Sequence, residues 1–297
     1  VTPGIVAERP LAGAAIRLLA AAALAIMFAL VKWASEHGVH VVEALFYRQA
    51  LAIPLMLVIA FRSGGLGSLR TQRPRGHALR MALGISAMLL NYLTFTLLPL
   101  ADATVIGFSV PLFATLCAIV LLGEIPGVWR WSALILGFAG VAIVAGPMTA
   151  IADTVAVVIA MTGAVLTSLT TIQIRNLSRT EAAATIVFWF TLTSMVPLGI
   201  AMLWFGQLHP PDVWLVIGGL SLAGAIGQWA LTEALRLAPV AVVMPMDYSS
   251  LLWAALLGWW LFDQWPLATT WLGAPLIIGS GLVILWREHY LARARPA

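Results

Sequence analysis

The spacing of charges constrains this chain more than any other feature. Its 297 residues include 16 Lys and Arg and 12 Asp and Glu, and most gaps between them are uncharged runs long enough to cross a bilayer. The runs 81–101, 103–123, 131–152, 154–174, 182–211, 213–232 and 264–286 each reach the roughly 18 to 20 apolar residues that a spanning helix needs. Three shorter runs, 18–31, 49–61 and 248–262, reach that length only by drawing one charged residue into the membrane with them. Those residues are Lys32, Arg48 and Asp247.

A chain that is 62% hydrophobic with a mean hydropathy of +0.99 has too little polar surface to cover a soluble globule of this length. Ten spans of about 20 residues with short connections account for nearly all of it. The expected fold is therefore an all-α membrane protein with ten transmembrane helices and no separate soluble domain. The basic residues sit at span ends and in connections, not on one aromatic-interleaved surface, which argues against a nucleic-acid partner.

With the N-terminus inside, Arg9, Arg17, Arg62, Arg70, Arg73, Arg75, Arg80, Arg130, Arg175 and Arg179 all fall on the inner side. The outer side receives His37, His40, Asp102, Asp153, His209, Asp212 and Asp263 and no basic loop residue. That asymmetry predicts cytoplasmic termini. Trp129, Trp131 and Trp286 near inner ends, and Trp204, Trp214, Trp265 and Trp271 near outer ends, read as interfacial anchors. Arg9 and Arg17 before an Ala/Leu run resemble a signal peptide, but its removal would leave nine spans and upset the charge asymmetry. The single Cys117 excludes an intramolecular disulfide, and the five histidines are too scattered for a metal site. No phosphate-binding Gly-rich loop is present, and no cofactor is expected.

The connection 147–153 divides the chain into halves of five spans. An odd number per half requires the second to run upside down relative to the first. An ungapped shift of 140 aligns 97–136 with 237–276 at eleven identities, among them Pro99/Pro239, Pro126/Pro266 and Trp131/Trp271. The expected domains are residues 1–147 (spans one to five) and 153–297 (spans six to ten), as inverted repeats around a central cavity.

The segment PLADATVIGFSVPLFATLCAIVLLGEIP, residues 99–126, and its partner ALRLAPVAVVMPMDYSSLLWAALLGWWLFDQWP, residues 234–266, resemble the two signature stretches of EamA-type carriers of the drug/metabolite transporter superfamily. The resemblance covers nearly the whole chain and extends to aromatic amino-acid exporters within the family. It implies two five-helix repeats and solute movement by alternating access. One departure is that Gly123-Glu124 of the first half is matched by Asp263-Gln264, so a role for Glu124 does not transfer to the second half.

Candidate binding or gating residues are those whose burial in a membrane is costly. A lone charge at the bilayer centre costs at least about 2.5 to 3.5 kcal/mol, so it normally faces a cavity or a partner. Lys32 and Arg48 occupy the outer halves of spans one and two, and Glu43 lies between them, placed to pair with Arg48. On the inner side Glu233 and Arg236 are one turn apart, and either Glu233 or Asp247 can pair with Arg236. Asp247, followed by Tyr248 and two serines and preceded by the ladder-breaking Pro245, is the stronger site residue. Pro111 gives a comparable, less polar break. Mid-span aromatics and amides complete the set: Asn91 with Tyr92, Trp189, Gln228 with Trp229, and Trp253, whose flat faces suit a planar or cationic solute. Gly219, Ala223 and Gly227, and Ala133 with Gly137, read as close helix contacts.

The expected protein is a multi-pass secondary transporter of a bacterial inner membrane, not an enzyme. Its expected partners are the lipid bilayer, a small-molecule solute, and protons or a counter-solute. Export of aromatic or other hydrophobic amino acids is the leading expectation. Uptake or multidrug export of a heterocyclic or cationic metabolite is the alternative, and a polytopic membrane enzyme is the alternative from another class.

Overall fold

A computed structural model describes residues 10–62, 65–110, 112–114, 116–117, 128–145, 151–178, 180–181, 183–237 and 244–294. They form α1 (Pro10–Glu36), α2 (Val41–Arg62), α3 (Pro74–Leu97), α4 (Leu100–Gly107), α5 (Val128–Ala145), α6 (Ile151–Ser178), α7 (Ala183–Phe205), α8 (Pro211–Leu237), α9 (Ser249–Phe262) and α10 (Ala268–Ala294). Short 3-10 turns at Leu66–Leu69 and Met244–Tyr248 lead into α3 and α9. No strand occurs among the described residues.

Six of these helices, α1, α2, α3, α6, α7 and α8, are long and apolar enough to cross a membrane. Apolar stretches at Leu100–Ala114 and Trp131–Val144 are shorter. Expectation and structure thus agree on a multi-span helical membrane protein, with six clear spans among the described residues where ten were expected. Large apolar side chains such as Leu203, Trp204, Leu215, Leu252 and Trp260 are exposed, as a lipid-facing surface requires.

Local chemistry explains the helix ends. Pro10, Pro74 and Pro211 open α1, α3 and α8, where the missing N–H would have been unbonded anyway. Pro54, Pro197 and Pro275 lie inside α2, α7 and α10, where neighbouring helices make such breaks tolerable in a membrane. α9 stops at Asp263, whose backbone is left-handed with φ 53°, and whose N–H donates back to Trp259 O while Gln264 N–H donates to Gly258 O. Its counterpart in the sequence repeat is Gly123, and Gly and Asp are both residue types that tolerate this conformation.

The principal contacts join the first five helices to the last five. α1 packs on α8 and α9, α2 on α7 and α8, α3 on α6 and α7, α4 on α9, and α5 on α10. The halves interlock, so cavities between helices are lined by both. Small residues permit these approaches: a Cβ on Gly227 would stand 2.8 Å from Leu24, and one on Gly219 would stand 3.3 Å from Leu30. The α5–α10 seam is closer still, since a Cβ on Gly140 would stand 2.9 Å from the Gly273 carbonyl oxygen and one on Gly273 2.6 Å from that of Gly140.

Candidate functional site

A cavity of about 310 Å³ lies between α1, α3, α4, α6 and α9. Its volume falls at the lower end of the range for small-molecule sites. Phe28, Phe95 and Phe108 supply flat apolar wall, with Phe28 and Phe95 stacked at 3.9 Å between ring centres. Asn91 Nδ2 donates to Thr167 Oγ1 at 3.1 Å, which leaves the Asn91 carbonyl oxygen as an acceptor at the wall. The Thr104 hydroxyl donates to Leu100 O at 2.7 Å and likewise offers only acceptor capacity.

One end of the bundle carries the arginines of residues 70–75, and the opposite end carries His37, His40 and His209. At the arginine end of the cavity, Arg17 Nε and Nη2 donate to the two carboxylate oxygens of Asp247 in a fork. The Arg17 side chain is 9% exposed and that of Asp247 29%, so the carboxylate is the accessible partner. Arg17 Nη1 has no partner among the described residues. Ser250 lines the wall beside them and donates to Asp247 O at 2.6 Å. At the histidine end the cavity stops against buried Ala29, Leu100 and Ala254 with Phe95, Leu261 and Phe262 packed on them.

Lys32 is buried within the bundle. It is 4% exposed, donates to Leu98 O at 2.7 Å in the turn between α3 and α4, and lies 5.6 Å from the Phe262 ring centre. Nearby Asp102 accepts from the Thr270 hydroxyl, tying α4 to α10.

The expected Glu43–Arg48 pair does not form. Glu43 is fully buried and accepts from His40 N and Gln207 N, each at 2.9 Å, while His209 Nε2 lies 3.1 Å away. Those bonds hold it at the loops. Arg48 points to the bundle interior, where it donates to Met88 Sδ at 3.3 Å. There it lines a second, much smaller cavity with Gln49, Arg80, Thr191 and Gln228.

Asp247 pairs with Arg17, and the side chain of Arg236 lies outside the described residues, as do Pro111 and Glu124. Glu233 is half-buried and lines neither cavity. Tyr248 stands edge-on to Phe108 at 5.1 Å, behind the wall. Tyr92 is 1% exposed and packs its hydroxyl toward Met27 Sδ at 3.5 Å, a core contact. Trp189 Nε1 donates to Leu69 O at 2.8 Å and anchors the 3-10 turn. Trp229 and Trp253 are 40% and 39% exposed and line neither cavity, because each occupies an outward helix face.

Two residues that the charge pattern assigned to the inner surface, Arg17 and Arg80, are inside. Both lie about 10 Å beyond the prolines that open their helices, by the rise per residue. Pro10 and Pro74 were the available signal, since each marks the helix start from which that depth is counted.

Comparison with known proteins matches residues 11–146, and separately 154–286, to the EamA-like transporter family. The riboflavin transporter of Vibrio cholerae is 28% identical over 97% of this chain and 98% of its own length. The pseudopaline exporter CntI of Pseudomonas aeruginosa is 26% identical over 90% and 93%. The S-adenosylmethionine uptake transporter of Rickettsia felis is 25% identical over 84% of each. A crystal structure 17% identical in sequence covers 93% of this chain and 98% of its own with a TM-score of 0.62, and shares the fold.

Proposed function

The chain belongs to the EamA-like transporter family, and we propose that it moves a small amphipathic solute by alternating access, bound in the cavity between α1, α3, α4, α6 and α9. The observation that carries this reading is the Arg17–Asp247 fork at the edge of an aromatic-walled chamber. A zwitterion with an apolar body can replace each partner of the fork, its carboxylate on Arg17 and its ammonium on Asp247, while the phenylalanines take the body. Aromatic or hydrophobic amino acids and their derivatives have that form. Export from the cytoplasm is the proposed direction, in an inner membrane with both termini cytoplasmic, as the positive-inside distribution supports.

Two features support the reading of inverted repeats at residues 1–147 and 153–297. The family matches each half separately. Renumbering the helices by five also carries the α1–α8 contact onto α6–α3, α2–α8 onto α7–α3, and α5–α10 onto itself. Asp247 is the proposed coupling group, since a carboxylate held by a solute-displaceable arginine can exchange a proton for that partner.

A second reading, a planar heterocycle as cargo, is favoured by the relatives named for riboflavin and S-adenosylmethionine. Counterflow in proteoliposomes, with labelled phenylalanine, leucine and riboflavin on one side and each unlabelled candidate on the other, separates the two. Exchange of amino acids supports the first reading and exchange of riboflavin alone the second. Enzymatic conversion of a solute without net movement would remove both.

A further inference from the structure

The second cavity lies between α2, α3, α7 and α8 and shares no lining residue with the solute chamber. Arg48 and Arg80 both face it and are 5% and 9% exposed. Among the described residues, Arg80 Nε and Nη1 have no hydrogen-bond partner, and neither has Nε2 of Gln49, which is 3% exposed and lines the same space. Among the described lining residues there is no carboxylate, and Arg48 is the other charged group beside Arg80. The Phe190 ring, 4.1 Å from the Arg80 guanidinium carbon, covers one face of it.

Room for both guanidiniums has been made by glycines. A Cβ on Gly224 would stand 2.8 Å from Arg48 Nε, and a Cβ on Gly84 would run into Arg80 Nη1. Gly84 and Gly224 are 140 positions apart, the shift of the sequence repeat. Two like charges held this way in a low-dielectric interior repel, and each also carries a desolvation penalty. Water can complete hydrogen bonds but cannot neutralise them. An anion does both.

The space selects its size. The cavity leaves about 20 Å³ for the centre of a water-sized sphere, which admits a halide and excludes a lipid headgroup or a bulky organic anion. We propose that the Arg48–Arg80 cavity is a binding site for one monatomic anion, chloride in the cell, coordinated by the two guanidiniums, the Gln49 amide and the Thr191 hydroxyl. The ion joins α2, α3 and α7 at mid-depth, independently of the solute.

The probe is halide itself, with the full-length protein in detergent at constant ionic strength. Replacing sodium gluconate by sodium chloride or bromide is expected to raise the apparent melting temperature saturably, by roughly 5 to 10 °C at about a hundred times the dissociation constant. Gln49→Glu supplies a built-in carboxylate and is expected to be stabilised in gluconate and unresponsive to halide. Arg80→Gln removes one charge and is expected to lose the response. Equal melting temperatures of the unaltered protein in gluconate and chloride overturn the proposal. So does a halide response that persists undiminished in either variant, because the ion then binds elsewhere. Neither result bears on the solute, whose exchange is measured separately.

Discussion

The guanidinium of Arg17 and the carboxylate of Asp247, 230 residues apart in sequence, form a two-pronged ion pair that joins α1 to the turn entering α9. Removing the acid leaves a cation whose side chain is only 9% exposed. Asp247→Ala is therefore expected to cost about 2 to 3 kcal/mol, less than for a fully buried pair because Asp247 is partly open. Arg17→Ala with Asp247→Ala is expected to recover part of that loss. Melting temperatures of the two single variants and the double variant give the coupling directly; strictly additive losses would mean that the pair is not an energetic unit.

Transport separates charge from shape at the same place. Asp247→Asn is nearly isosteric but cannot hold a cation, and is expected to lower exchange of a zwitterionic solute at least about tenfold. A pH-gradient dependence that survives unchanged in this variant would remove Asp247 as the coupling group.

The α5–α10 seam has no slack. Because a Cβ on Gly273 would stand 2.6 Å from a backbone oxygen of Gly140, Gly273→Ala must push the helices apart. About 1 to 3 kcal/mol of destabilisation is expected. Gly279, with nothing within 4 Å of such a Cβ, is the control on the same helix. Equal melting temperatures for Gly273→Ala and Gly279→Ala would show that the seam is not tightly packed.

Gly84→Ala tests another close approach, since its Cβ would strike Arg80 Nη1 and stand 2.7 Å from the Phe190 ring. The flexible guanidinium can yield but the ring is held, so a loss of about 1 to 2 kcal/mol is expected, with a change in Phe190 environment. Retention of wild-type stability would place Arg80 in another rotamer.

Acid should loosen the connections at the arginine end. Burial alone would push the Glu181 carboxyl up, but the Thr71 hydroxyl, His77 and the Gln72 N–H hold it below its usual value. A carboxyl whose pKa is lower when folded stabilises the fold above its unfolded pKa, and that contribution is lost as pH falls through the folded value. The contact between residues 71–77 and Glu181 is thus intact at neutral pH and weakens only as pH falls below the ordinary glutamate value of about 4.3. Amide exchange at Gln72 and Arg73, corrected for intrinsic rates, should accelerate as pH is lowered through the acid range beneath the ordinary glutamate value and lose that acid step in Glu181→Gln. Constant protection across the range would contradict this.

The helical, membrane-spanning character was legible because lipid forbids long charged segments, and the runs 81–101, 154–174, 182–211 and 213–232 fall largely on α3, α6, α7 and α8. Asp247 stood out for the same reason. Its partner did not, because Arg17 precedes the apolar run that begins at residue 18 and charge spacing reads such a residue as an anchor. Arg80 was hidden in the same way. Aromatic residues carry no such depth penalty, so pattern alone could not tell the outward Trp229 and Trp253 from wall-forming Phe28 and Phe95. Backbone partners were equally invisible. The carbonyl of Leu98 holds Lys32, and no residue type announces a carbonyl.

Glu43 has a mechanical consequence for the whole transporter. One carboxylate is shared by the start of α2 and by Gln207 and His209 of the α7–α8 connection. Any rearrangement that preserves these bonds must carry the histidine-end tips of α2, α7 and α8 as a single lever arm. In the proposed alternating access, opening toward that side would fall to the opposite wall, where the apolar contacts of Leu100 and Ala254 and the Lys32 tether would have to part.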